Sequence, residues 1–234
     1  MGFNKISAPS LKGIFVKELE TMILSGELQT GEKLPSERDL AEQMGVSRTI
    51  VNAGLSELVG KGFLEIRPRV GVFVSDYRRS GSLSTLIAIM SYNGGRLRHD
   101  EVKSILEIRS ALEKLILKLV IPKITANELT TMCDILDSIK DSQISSQFAE
   151  NCFNFDHELC IISGNSLLPL YYGSFREPCL NLWMRYYQLY GKESLAAYNE
   201  QLLGLIRNKK LEEALQLSES RLQETICGSR QLYF

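Results

Sequence analysis

Residues 30–74 hold the pattern that leaves this chain the fewest folds. Gly31 and Pro35 interrupt any helix that precedes them, and Ser36 stands where an N-cap is wanted. Asp39 follows three residues later, a capping-box spacing with Asp in place of the usual Glu or Gln. The helix that follows turns Leu40, Ala41 and Met44 inward and leaves Glu37, Arg38 and Glu42 in water. Gly45 can adopt the left-handed conformation that ends a helix, Val46 fills the angle, and Ser47 caps the next helix. In that second helix Ile50, Val51, Leu55, Leu58 and Val59 recur at three- and four-residue spacing and face a core. Leu64–Arg67 and Val72–Ser75 then alternate as two strands around a turn at Gly71.

Turn, helix, glycine turn, capped helix and hairpin in this order describe a winged helix-turn-helix, whose second helix enters a DNA major groove. Arg48, Thr49 and Asn52 lie on the N-terminal, outward surface of that helix. Arg pairs bidentately with guanine and Asn with adenine, while the Thr methyl packs on thymine. Arg38 alone would be an ordinary solvated charge and Ser47 merely a cap; the ordered set gives them a shared purpose. Arg67 and Arg69 flank the wing turn at Gly71. The net charge of −1 carries no bulk basic signal, so DNA binding rests on where the arginines stand.

The remainder reads as helix. Asp76–Ser82 is a polar joint, and helical periodicity then runs near 83–92, 99–121, 126–141, 145–162, 166–190, 193–208 and 210–228. Pro122 stops the second of these, and Thr125 with Glu128 forms a capping box opening the third. The expected architecture is mainly α. A winged helix-turn-helix domain with a small hairpin wing (1–76) leads through a linker (77–82) to an antiparallel bundle of six or seven helices (83–234). Five scattered cysteines (Cys133, Cys152, Cys160, Cys179, Cys227) without a CxxC pair suit reduced thiols in a cytoplasmic protein. No leader peptide and no membrane-length apolar run are evident.

One residue breaks the bundle's pattern. Val102, Ile105, Leu112, Ile116 and Leu119 form an apolar stripe, and Arg109 falls within it. A lone charge is costly to bury, so Arg109 snorkels, pairs with an internal carboxylate, or faces a cavity and chelates an anionic ligand. Tyr171, Tyr172, Trp183, Tyr186, Tyr187 and Tyr190 crowd one region, a composition that suits a core or dimer interface and less often a pocket wall. No catalytic triad, Walker loop or dinucleotide loop accompanies them, and the chain does not read as an enzyme.

The stretch GEKLPSERDLAEQMGVSRTIV with GFLEIRPRVGVFV resembles the DNA-binding domain of GntR-type bacterial regulators. The resemblance implies operator contacts from Arg38, Ser47, Arg48, Thr49 and the wing around Arg69 and Gly71. Where such regulators usually continue Val-Arg-Glu-Ala-Leu, this chain has Val51-Asn52-Ala53-Gly54-Leu55, so the operator can differ where Asn52 replaces Arg. Gly54 costs its helix roughly 1 kcal/mol relative to Ala, a cost that close approach of another element would explain.

Glu107–Glu113, Ser163-Gly164-Asn165 and the turn at Asn208-Lys209-Lys210 resemble the effector domain of the FadR subfamily. That likeness implies an all-helical bundle with a central cavity, a homodimer, and a small acidic effector. Many relatives hold a divalent metal with one Asp and three His. Their positions fall here on Cys152, Asp156, Asn199 and Arg221, and the chain has only His99 and His157, so a metal is disfavoured. Arg221 and Asp156 are expected to replace the metal centre, with Arg109 drawing an anion into the cavity. The implied function is a repressor of operator DNA released by a small acidic metabolite. An acyl-thioester-responsive regulator and a ligand-free DNA-binding dimer are the alternatives.

Overall fold

The structure is a computed structural model that describes residues 10–92 and 99–232. It divides into two compact units, Met1–Gly94 and Gly95–Phe234. The first unit contains α1 (Leu11–Ser25), α2 (Glu37–Gln43), α3 (Arg48–Gly60), β1 (Leu64–Arg67), β2 (Gly71–Val74), α4 (Tyr77–Ser80) and α5 (Leu83–Ser91). Its core joins Phe15, Val16, Leu19 and Ile23 of α1 to Val51, Leu55 and Leu58 of α3, with Phe63, Leu64 and Val74 of the wing. The two strands pair antiparallel from Leu64 opposite Val74 to Arg67 opposite Gly71.

Each helix start follows its cap. Ser10, Ser36 and Ser47 accept backbone N–H bonds from Gly13, Asp39 and Ile50. The box expected at Ser36 is half-made: the Ser36 hydroxyl donates to Asp39 Oδ2 at 2.6 Å, because the shorter Asp engages the hydroxyl where a Glu would reach the cap N–H. At Thr125 and Glu128 both halves form. Gly45 takes φ 64° at the turn between α2 and α3. Gly54 faces Phe15 so closely that a Cβ would lie 2.3 Å from its ring, which accounts for a glycine inside a helix.

The expected domain boundary at 77–82 moves. Residues 77–80 form a helical turn, and α5 belongs with the first unit rather than with the bundle. Ala88 and Ile89 pack against the winged core, Ser75 and Ser80 donate to the Gly62 carbonyl, and Thr85 donates to the Lys61 carbonyl. Periodicity identified the helix but could not say which core its apolar face would join.

The second unit comprises α6 (His99–Val120), α7 (Ala126–Asp141), α8 (Ser145–Ile162), α9 (Leu168–Gly173), α10 (Arg176–Tyr190), α11 (Glu193–Arg207) and α12 (Leu211–Ile226). α8 packs against α6, α7, α9 and α10, while α12 packs against α6 and α11. The single helix expected over 166–190 is two. Pro178 has no N–H to donate and is tolerated only in a first turn, so the chain restarts at Arg176. Among the described residues no helix is long and apolar enough to cross a membrane.

Candidate nucleic-acid interface and effector centre

The winged unit presents its candidate contacts outward. Ser47, Arg48, Thr49 and Asn52 are exposed on the first turns of α3, and Ser47 also caps it, accepting from Ile50 N at 3.4 Å. Arg38 is 73% exposed and lies 3.6 Å from Asp39. A concavity of about 500 Å³ brings Arg38 and Arg48 together with Val70, Gly71 and Val72 of the wing. Lys33 lines the same concavity. Sequence reasoning passed over Lys33; its one signal is its place in the stretch before Leu34, which pairs with Val72 of the wing through Leu34 N–H. Three cations around one groove-sized hollow suit a phosphodiester backbone, with the α3 start free to meet base edges.

The wing arginines differ. Arg69 adopts φ 62°, a left-handed conformation that L side chains rarely take, and projects from the turn. Arg67 is committed within the wing: it pairs with Glu65 at 2.6 Å and stacks 4.1 Å above the Phe73 ring. Thr49 and Asn52 stand outside the concavity, on the exposed face of α3.

In the bundle, Arg109 of α6 has its partner. Its Nη2 donates to Asp156 Oδ2 of α8 at 2.8 Å, and the Tyr172 hydroxyl donates to the same oxygen at 2.7 Å. The guanidinium lies 4.3 Å from the centre of the Trp183 ring. Burial works against the Arg109 charge, but its neighbours, Asp156 and Glu113 among them, more than offset it and the guanidinium stays protonated. Burial pushes the Tyr172 hydroxyl well up and the Cys179 thiol up, so both are neutral at neutral pH.

Arg221 and Asp156 are expected to replace the metal centre through an ion pair or hydrogen-bond network; Asp156 is instead paired with Arg109. Arg221 stacks on Tyr198 at 4.2 Å and Trp183 at 5.0 Å, and Tyr198 donates to Glu113 at 2.7 Å. Glu113, one turn beyond Arg109 on α6, lies within the electrostatic reach of Arg221, and so does Asp156. Trp183 therefore meets both guanidiniums, where the aromatic crowding pointed first to a core or dimer interface and less to a pocket wall. Glu113 and Tyr198 gave no individual signal in the sequence. The apolar stripe of α6 is also rotated: Leu106, Leu117 and Val120 are buried, while Leu112 and Leu119 are half-buried.

The donor set does not fit a divalent metal. Burial, then Asp156, drives the Cys152 thiol upward, away from the thiolate a metal needs. Asp156 already accepts two hydrogen bonds, Asn199 is buried on α11, and Arg221 is a cation. His157 turns away: its ring stacks on Phe153 and its Nε2 lies 3.1 Å from the Pro169 carbonyl. Among the described residues no group of three or more His, Cys, Asp or Glu could hold a metal ion.

The central cavity implied by resemblance is small here. Voids of about 30 Å³ and 20 Å³ flank Arg109. A groove of about 610 Å³ lies outside them, lined by Tyr186, Ser194, Tyr198, Gln201, Arg221 and Arg230 among others. Arg221 and Thr225 line both the larger void and the groove.

Comparison with known proteins agrees with these two units. The family described as bacterial regulatory proteins, gntR family, matches residues 15–74, and the FCD domain matches residues 104–224, about half of the chain. The HTH-type transcriptional regulator Mce2R of Mycobacterium tuberculosis is 37% identical over 109 residues, 47% of this chain and 45% of that protein. LutR of Bacillus subtilis, also an HTH-type transcriptional regulator, is 30% identical over 148 residues, 63% of this chain and 65% of its own length. The chain spans about half the length of the first curated relatives it matches, Mce2R among them. A solved structure of Lar, which controls expression of the Listeria monocytogenes agr system, superposes with a TM-score of 0.61 at 16% identity. It covers 94% of this chain and 96% of the other, a likeness of fold.

Proposed function

Because this chain belongs to the gntR family of bacterial regulatory proteins and carries an FCD domain, we propose that it is a sequence-specific, DNA-binding transcription regulator. It acts in the cytoplasm as a homodimeric repressor, and a small acidic metabolite in the helical unit sets its affinity for operator DNA. The observation that carries the DNA half is the convergence of Lys33, Arg38 and Arg48 with the wing turn on one concavity. Two such units related by a twofold axis address a roughly palindromic site, because protein symmetry is mirrored in the half-sites.

The effector half is supported by two guanidiniums at the bundle centre and by the groove outside them. About 610 Å³ is within the range of a small-molecule site, and its Ser, Gln, Tyr and Arg side chains favour a compact polar acid over a long acyl chain. Such a ligand controls DNA binding only through unequal affinity for the DNA-competent and DNA-released states.

Selection of random duplexes by the full chain tests the DNA half. A palindromic motif enriched by the parent and lost with Arg48→Glu is expected. A pool that stays random would overturn the reading. A screen of small acids for operator release tests the effector half, and release caused only by acyl thioesters would move the assignment to that alternative.

A further inference from the structure

After α12 the chain turns back on itself. At Gly228 it passes so near the helix that a Cβ would lie 2.7 Å from the Glu224 Cα, so glycine alone seats the reversal. Gly228 N–H donates to the Gln223 carbonyl at 3.0 Å and Arg230 N–H to the Glu224 carbonyl at 3.3 Å. Beyond the turn Gln231 is exposed again, but Leu232 is only 1% exposed. Leu232 lines the larger of the two small voids together with Trp183, and Arg230 lines the outer groove. Residues 230–232 thus form part of the wall of both spaces.

Little holds this wall in place. Residues 227–232 carry neither helix nor strand. Arg230 and Glu224 pair at 3.1 Å, but their side chains are 37% and 38% exposed, where water and salt screen the attraction. Ser229 reaches Glu224 only at 3.5 Å. The Tyr190 hydroxyl donates to the Gln231 carbonyl at 2.6 Å, and Leu232 is the segment's one buried residue. A segment with so few buried contacts opens locally while the helices around it stay folded.

We propose that Gly228–Leu232 is a hinged strap that opens independently of the bundle, with Gly228 as hinge, Tyr190 as latch and Leu232 as plug. Closed, it seals the void beside Trp183. Open, it joins that void to the outer groove past Arg221 and Thr225, which line both. A solute that enters only the open form shifts the strap toward opening, in proportion to its preference for that form. The strap goes beyond the effector reading: it decides when the space can be entered, whatever enters it.

Thiol labelling of the full chain tests the strap. Cys152, Cys160 and Cys179 are buried in α8 and α10 and serve as internal clocks for opening of the bundle itself. In Leu232→Cys, iodoacetamide is expected to modify the introduced thiol at least about tenfold faster than those three, resolved by peptide mass mapping. Adding Tyr190→Phe keeps the ring contact with Tyr186 but removes the latch, and should speed that modification about fivefold with the clocks unmoved. Gly228→Ala should act in the same direction. Acrylamide quenching of Trp183, the sole tryptophan, reads the strap with Leu232 in place and should rise in Tyr190→Phe. An introduced thiol no faster than the clocks, a rate that Tyr190→Phe leaves unchanged, or equal quenching in Tyr190→Phe and the parent would overturn the strap. Each of these leaves the acidic-effector reading standing, because operator release by small acids decides that separately.

Discussion

Arg48 and Arg109 are the same side chain in opposite circumstances. Arg48 stands exposed on the first turn of α3 with no ion pair among the described residues. Arg109 is 14% exposed and bound by Asp156, Tyr172 and Trp183. An arginine that awaits a partner must be kept free by the fold, whereas one inside a core must already be satisfied. The first kind contributes to binding and almost nothing to stability; the second contributes to stability first.

The sharpest way to break this contrast is Asp156→Ala. It leaves Arg109 buried without its anion and is expected to cost about 3–5 kcal/mol, read as a lowered unfolding midpoint. Pairing Arg109→Met with Asp156→Leu should recover most of the loss. Arg48→Glu is expected to weaken operator binding by about 1–3 kcal/mol while thermal stability stays within roughly 0.5 kcal/mol of the parent. A large stability loss there would show that Arg48 has a structural partner after all.

Gly54→Ala drives a Cβ into the Phe15 ring. Overpacking of about 1–3 kcal/mol is offset by about 1 kcal/mol of helix propensity, so a net loss is expected. Adding Phe15→Leu should relieve it, and calorimetry distinguishes the two. Arg69→Gly should act in both directions, stabilising the wing by about 1 kcal/mol through relief of its positive φ and lowering the salt slope of DNA binding by about one.

The smallest effect concerns acid. Glu128 accepts from the Thr125 backbone N–H and hydroxyl, which hold its carboxyl below the usual glutamate value. Its stabilisation is complete above that usual value and is lost as pH falls through the lowered one. Glu128→Gln should therefore flatten the acid limb of the stability curve, by well under about 1 kcal/mol.

The two candidate sites differed in how far the chain alone exposed them. Ser36, Gly45, Ser47 and the spacing of Val51, Leu55 and Leu58 are local signals, and the helices and wing they imply are those observed. Arg109 announced itself by breaking an apolar stripe, and Asp156 was named beside it, yet their pairing was not. Helical periodicity fixes which residues share a face but leaves the rotation and offset between two helices open by a turn. That freedom also hid the docking of α5 on the winged core.

From its amino acids alone, then, the chain determined where most helices lie, broadly which face each one buries, and which cations stand ready to meet something outside the molecule. Those outcomes follow from interactions a few residues apart, whose geometry is the same in any fold. Packing decided what those rules leave degenerate. Arg109 rather than Arg221 took the Asp156 carboxylate, and Trp183 came to touch both guanidiniums. These choices depend on distances between segments far apart along the chain, which only close packing fixes.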